Sequence, residues 1–261
     1  MNESKAGMTP ARKTSGSAAR TLQLIQALAG HGRPMTLAQL ADRLELPKAT
    51  VHRLCGRLVE MRFLIRDLDE RCYAIGPAMQ RMAFDTLAHG TYSRLRHNVL
   101  VDLVADVGET CNFTTLDGAS VLYLDRVEAQ RPWRLTLSVG VHVPLHCTAS
   151  GKLFLSCIEP VERRRLIGSL DLQPLTAKTI TSVEGLIADV ERIADHGYAL
   201  ETEEFVVGLI ALAVPVHDRE GRVRAAIAMH CPTSHANCVQ AMSKLPSLQA
   251  AAARMRGLLE V

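Results

Sequence analysis

Three amphipathic segments followed by two short extended runs, all between residues 17 and 76, leave few folds open to this chain. From Ser17 to Ala29, "SAARTLQLIQALA" sets Leu22, Ile25, Leu28 and Ala29 on one helical face, and "GHGRP" ends the helix. Thr36 stands before "LAQLADRLE" as the N-cap of a second helix that turns Leu37, Leu40 and Leu44 inward. After the break "ELP", Pro47 falls in the first turn of a third helix, where its missing N–H is no loss. That helix is predicted to run to about Met61, with Val51, Leu54, Leu58 and Met61 as its apolar stripe. "FLIRD" and "CYAIG", on either side of the polar turn "LDER", read as a β-hairpin. Three helices and a hairpin, in this order, make a winged helix-turn-helix over residues 17–76.

The third helix has a second face. Opposite its stripe lie Lys48, Ala49, His52, Arg53 and Arg57. On an isolated helix such a face would simply be solvated. Behind two helices of the right length it suits a major groove, where a recognition helix reads base edges from its N-terminal residues. Lys48, Ala49 and Arg53 are then the base readers, with Thr50, His52 and Arg57 nearer the backbone. Arg62, Arg66 and Arg71 supply a wing for adjacent phosphates. Any basic surface has to be local, because 30 Lys and Arg are nearly balanced by 27 Asp and Glu. Residues 1–16 are polar and Gly/Ser-rich, and read as a disordered tail. Its Lys5, Arg12 and Lys13 either form a flexible arm on DNA or are only solubilising.

From Pro77 a helical pattern reaches the Gly90 break, a linker over 77–90, and a further helix runs from Tyr92 to Asp106. Beyond Gly108 the texture changes to alternating strands, "CNFTTLD", "SVLYLDRV" and "WRLTLSV". Helices follow at Ser150 to Cys157, Val161 to Ile167 and Val183 to His196. Strands return at Tyr198, at Gly208 to Val216 and at Arg222 to His230, and the chain closes in helix broken near Pro246. Residues 91–261 therefore read as an α+β domain with no internal repeat. The apolar run "VVGLIALAVPV" is far shorter than the roughly 20 residues of a membrane helix. The first residues lack the apolar core of a signal peptide, so a cytoplasmic protein with reduced thiols is expected. The seven cysteines also lack paired C-x-x-C spacing.

The stretch "SAARTLQLIQALAGHGRPMTLAQLADRLELPKATVHRLCGRLVEMRFLIRD" with "CYAIGPAM" resembles the N-terminal domain of the IclR family of bacterial transcriptional regulators. The likeness continues through "VGVHVPLHCTASGKLFLS", "LTAKTITSVEGLIADVERIADHGYALETEEFVVGL" and "PVHDREGRVRAAIAMHCP", in order and spacing. The resemblance implies an α+β protein: an N-terminal winged helix-turn-helix, a linker helix and a GAF-like effector-binding domain with an antiparallel sheet. It further implies a homodimer or dimer of dimers, whose partners are a palindromic double-stranded operator, a small organic acid and RNA polymerase. No cofactor and no catalytic residue are expected.

In "HCTASGKLF" the small residues Thr148, Ala149 and Ser150 open a helix ahead of Gly151, and free N–H groups there would hold an anion such as a carboxylate. The alternative is a helix cap with a glycine for close packing. By resemblance, the effector pocket is lined by Leu135, Val143, Ala149, Ser150, Glu201, Leu209, Ala211, Ala228 and His230. Ala211 stands where the family often has cysteine, and Ala228 and His230 where some members carry serines. The extra room suits a bulkier guest, an aromatic carboxylate packed near Trp133, with His230 as a charged donor.

Enzyme readings fare worse. A P-loop fails because His146 replaces its first glycine and Leu153 its hydroxyl residue. Ser150 with His146 or His230 lacks a G-x-S-x-G elbow. A metal sensor or metal-dependent enzyme using His146, Cys147, His230 and Cys231, with Glu201, remains the alternative, although their spacing gives it no local support.

Overall fold

The computed structural model describes residues 16–67, 71–89, 91–130 and 137–259. The chain divides into two compact units, with the division between Thr86 and Leu87.

The first unit opens with α1 (Ser17–His31), which stops at Gly32 in the left-handed conformation, φ 72°, its N–H bonded to the Leu28 carbonyl. Its buried face is Leu24, Ile25 and Leu28. Leu22 and Ala29, expected to point inward, are exposed, because both lie roughly a quarter-turn or more from the centre of that face. The two-residue strand β1 (Met35–Thr36) leads into α2 (Leu37–Leu44) through a full capping box: Thr36 Oγ1 accepts from the Gln39 N–H and Gln39 Oε1 from the Thr36 N–H. Helix α3 (Lys48–Glu60) starts one residue later than expected. Pro47 is its N-cap with extended ψ, and its carbonyl receives the Thr50 and Val51 N–H groups at 2.9 and 3.1 Å. Met61 caps the other end and is exposed, so Cys55 takes its expected place beside Val51, Leu54 and Leu58 in the core.

Strands β2 (Leu64–Arg66) and β3 (Cys72–Ile75) form the expected hairpin, pairing Leu64 with Ile75. Strand β1 adds to its other side, Met35 opposite Tyr73, giving an antiparallel sheet of order β1-β3-β2. Arg62 lies in the loop between α3 and β2 with φ 60°, and so is not on the hairpin. Helix α4 (Pro77–His89) follows.

The second unit is built on a six-stranded antiparallel sheet of order β6-β5-β4-β9-β8-β7. Helix α5 (Thr91–Val107) precedes β4 (Thr110–Asp117), β5 (Ser120–Val127) and β6 (His142–Pro144). The expected strand "WRLTLSV" lies largely outside the described residues, and residues 137–139 form no strand; β6 pairs with β5 instead. Helices α6 (Ala149–Ser156), α7 (Pro160–Ser169) and α8 (Val183–His196) come next, then β7 (Ala199–Thr202), β8 (Leu209–His217), β9 (Val223–Pro232), α9 (Cys238–Met242) and α10 (Leu245–Leu259). Strand β8 is buried on both faces: Ala211 and Ala213 pack in one cluster with Leu153, Leu186 and Val190 of α6 and α8, while Val214 lies with Ala252 and Ala253 of α10. No described helix is long and apolar enough to cross a membrane.

Candidate nucleic-acid interface and effector cavity

Helix α3 divides cleanly. Val51, Leu54, Cys55 and Leu58 are buried, whereas Lys48, Ala49, His52, Arg53 and Arg57 are exposed and Thr50 is half-buried. Gly56 shares the exposed side, with open space above it. On the sheet, the exposed Arg66 lays its guanidinium 5.7 Å from the Tyr73 ring centroid, and Arg71 is exposed just before β3. Lys5, Arg12 and Lys13 lie outside the described residues.

In the second unit the structure brings Ala149, Ser150, Glu201, Leu209, Ala211, Ala228 and His230 around one cavity. Thr148, expected at the start of the anion-holding helix, also lines it, and Tyr123 and Phe205, which the sequence does not single out, complete it. Tyr123 sits in "SVLYLDRV", where strand periodicity marks it only as core. Val143 is buried in the neighbouring apolar cluster and does not line the cavity, and Leu135 and Trp133 lie outside the described residues. The cavity is about 10 Å³, room for roughly one water. A bulky guest therefore requires the walls to move.

At the start of α6, Thr148 accepts the Gly151 N–H through Oγ1 at 3.1 Å and donates from it to the Pro144 carbonyl at 2.7 Å. A Cβ on Gly151 would stand 2.3 Å from the Leu145 carbonyl oxygen, so this glycine serves close packing. Ser150 Oγ receives the Thr114 hydroxyl at 3.1 Å.

Beside the cavity, Lys152 is 1 % exposed, its Nζ 2.5 Å from Glu204 Oε1 and 2.8 Å from Asp189 Oδ2; Asp189 also pairs with Arg192. Burial works against the lysine's charge, but Glu204 and Asp189 outweigh it and raise its pKa. Glu201, also 1 % exposed, accepts through Oε1 the N–H groups of Glu204 and Phe205. Burial pushes its carboxyl up to about 7 against those two bonds. His230 Nε2 is 3.4 Å from the Tyr123 hydroxyl, and its Nδ1 has no hydrogen-bond partner among the described residues. Burial, then the charge of Arg126, drives this imidazole down to about 3. The expectation of a charged His230 donor is therefore corrected: the ring is neutral.

Among the described residues no group of three or more His, Cys, Asp or Glu is placed to hold a metal ion. His146 Nε2 is bonded at 3.0 Å to the Gln173 carbonyl, Cys231 Sγ lies 3.8 Å from the Pro232 carbonyl oxygen, and burial pushes the Cys147 thiol up to about 12.

A winged helix-turn-helix and an α/β domain with a small, mostly apolar cavity that also presents Glu201 and His230, carried on one chain, define a DNA-binding transcriptional regulator. The chain belongs to the IclR family: residues 17–68 match the IclR helix-turn-helix domain, and residues 88–256 match the bacterial transcriptional regulator IclR C-terminal domain. It is 38 % identical over 242 residues to the "Probable transcriptional regulator SauR" of Cupriavidus necator, covering 93 % of this chain and 96 % of that one. The Thermotoga maritima IclR crystal structure shares the fold at 22 % identity and TM-score 0.63, over 94 % of this chain and 99 % of that one. The inducer-binding domain of a PobR double mutant from Acinetobacter, in complex with 3-hydroxybenzoic acid, is 27 % identical with TM-score 0.59, over 62 % of this chain and 96 % of that one.

Proposed function

We propose that the chain binds a palindromic operator through α3 and that a small organic acid in the second unit modulates this binding. The observation that carries the DNA reading is the division of α3, apolar residues within and Lys48, His52, Arg53 and Arg57 without. Lys48, Ala49 and Arg53 read base edges; Thr50, His52 and Arg57 lie nearer phosphates, joined by Arg66 and Arg71 on the wing. Residues 17–76 are the DNA-binding domain, 77–90 the linker and 91–261 the effector-binding domain. The chain acts as a homodimer or dimer of dimers and communicates with RNA polymerase, without catalysis. Footprinting tests this reading: an inverted repeat with half-sites about one helical turn apart, or a multiple of it, is expected. Protection of a single asymmetric half-site by a monomer would contradict it.

The effector reading rests on the cavity, where buried Glu201 and His230 meet the small side chains of Ala149, Ala211 and Ala228. The PobR domain in complex with 3-hydroxybenzoic acid supports an aromatic carboxylate. A thermal-shift screen of aromatic and aliphatic acids tests it, since an acid at about 100 times its Kd adds roughly 2.7 kcal/mol.

A further inference from the structure

Glu201 and His230 belong to one row of the sheet. Glu201 on β7 pairs with Ala211 on β8, which in turn pairs with His230 on β9. Residues directly opposite one another share a face, so a carboxyl and an imidazole flank the short side chain of Ala211 with roughly 10 Å between the outer strands. All three line the cavity. Both polar groups have an atom to spare: the two hydrogen bonds to the Glu201 carboxyl, from the Glu204 and Phe205 N–H groups, both fall on Oε1 and leave Oε2 to the cavity, and the buried His230 Nδ1 has no hydrogen-bond partner among the described residues.

The described lining holds no cation. Lys152 on α6 is committed to Glu204 and Asp189, and Arg126 on β5 to Asn112 and Glu128. An ionised ligand beside an ionised Glu201, both cut off from water, would repel each other. One proton on Oε2 converts that repulsion into a charge-assisted O–H···O⁻ hydrogen bond. We propose that the acid binds over Ala211 together with one proton taken from solvent onto Glu201 Oε2, and that Glu201 is thereby a specificity-determining residue. The inference rests on the cavity being the acid site. On the other flank, His230 in the tautomer that carries its hydrogen on Nδ1, with Nε2 facing the Tyr123 hydroxyl at 3.4 Å, is a neutral donor for the same ligand.

Burial supports the assignment by holding the Glu201 carboxyl at about 7, so the proton is available near neutrality. The other titratable groups facing Glu201 are Glu204 in its own segment, Lys152 on α6, Cys147 before α6, Tyr123 on β5 and His230 on β9; Asp189 on α8 lies behind Lys152, and His146 faces Glu204. Within this group Lys152 is held charged, Cys147 stays a protonated thiol and His230 is neutral.

The test uses the full-length protein with benzoate and propionate as probes, titrated calorimetrically from about pH 6 to about pH 9. The Kd of the wild type is expected to rise about tenfold per pH unit above about 7, with uptake of about one proton per ligand at the alkaline end, read from buffers of different ionisation heat. Glu201→Gln is expected to bind with a Kd that stays within about twofold across the range, since its amide donates without titrating. Ala211→Leu is expected to abolish binding in both backgrounds. A flat wild-type Kd, no proton uptake, or a slope that persists in Glu201→Gln would overturn the proton-coupled site while leaving the cavity as an acid site. Failure of both probes at every pH would strike the cavity reading itself, and this inference with it.

Discussion

Lys152 and Glu204 meet 2.5 Å apart in the interior of the second unit, and the same ammonium lies 2.8 Å from Asp189. The contact joins α6 to α8 and to the segment after β7, whose Glu204 and Phe205 N–H groups bond the Glu201 carboxyl. A buried pair of this kind adds little when intact, because desolvation offsets the attraction, but breaking it strands a charge.

Lys152→Met is therefore expected to destabilise the second unit by about 3–5 kcal/mol, with part of that loss recovered in Lys152→Met/Glu204→Leu, where less uncompensated charge remains. Urea unfolding followed by fluorescence and by circular dichroism checks both variants. A single variant within about 0.5 kcal/mol of wild type would mean that the ammonium is not confined as described.

Glu201 gives stability a pH dependence. Its carboxyl sits at about 7 when folded against an ordinary 4.5, so between these values the folded chain keeps a proton that the unfolded chain has released. Its contribution is complete below about pH 4.5, declines by about 3 kcal/mol as pH rises to about 7, and is flat above. Glu201→Gln lacks this slope, so the stability difference between the two proteins, measured by denaturant midpoints across that range, should trace it. Parallel curves would show that Glu201 titrates normally.

Two glycines make opposite expectations. Gly151→Ala would press a methyl to 2.3 Å from the Leu145 carbonyl oxygen and 2.5 Å from its Cα, backbone atoms that cannot swing aside, so a loss of about 1–3 kcal/mol or more is expected. Gly56→Ala meets nothing within 4 Å inside α3, and alanine's helix preference should stabilise the first unit by about 0.4–1 kcal/mol. Thermal melts of both variants decide, and equal effects would contradict the packing at Leu145.

Much of this was legible in the sequence, for identifiable reasons. The capping box at Thr36 and Gln39 and the stripe of α3 are local patterns, so α2 and α3 emerge within a residue or two of their ends. Strand β1 did not, because Met35 and Thr36 are too few to show alternation and the partner that makes them a strand, β3, lies far along the chain. Pro47 suits either the first turn or the cap, and only the extended ψ distinguishes them. Lys152 stands in "TASGKLFL", where a charged residue reads as exposed by type; its burial follows from carboxylates brought in by α8 and the β7–β8 segment. Seven of the residues around the cavity were named through family likeness, but Tyr123 and Phe205 were not, Val143 packs elsewhere, and the row joining Glu201, Ala211 and His230 is a matter of strand register.

Groove reading by α3 is the central claim, and Arg53 tests it most directly because its guanidinium is exposed on the face opposite Val51 and Leu58. Duplexes selected by the wild-type protein from a random pool, then competed against single base-pair variants, should show Arg53→Ala losing about 1–3 kcal/mol of affinity together with its preference at one position in each half-site. Lys48→Ala is expected to behave alike or to lose affinity evenly across sequences. Unchanged sequence preference and affinity in both variants would contradict α3 as the recognition helix.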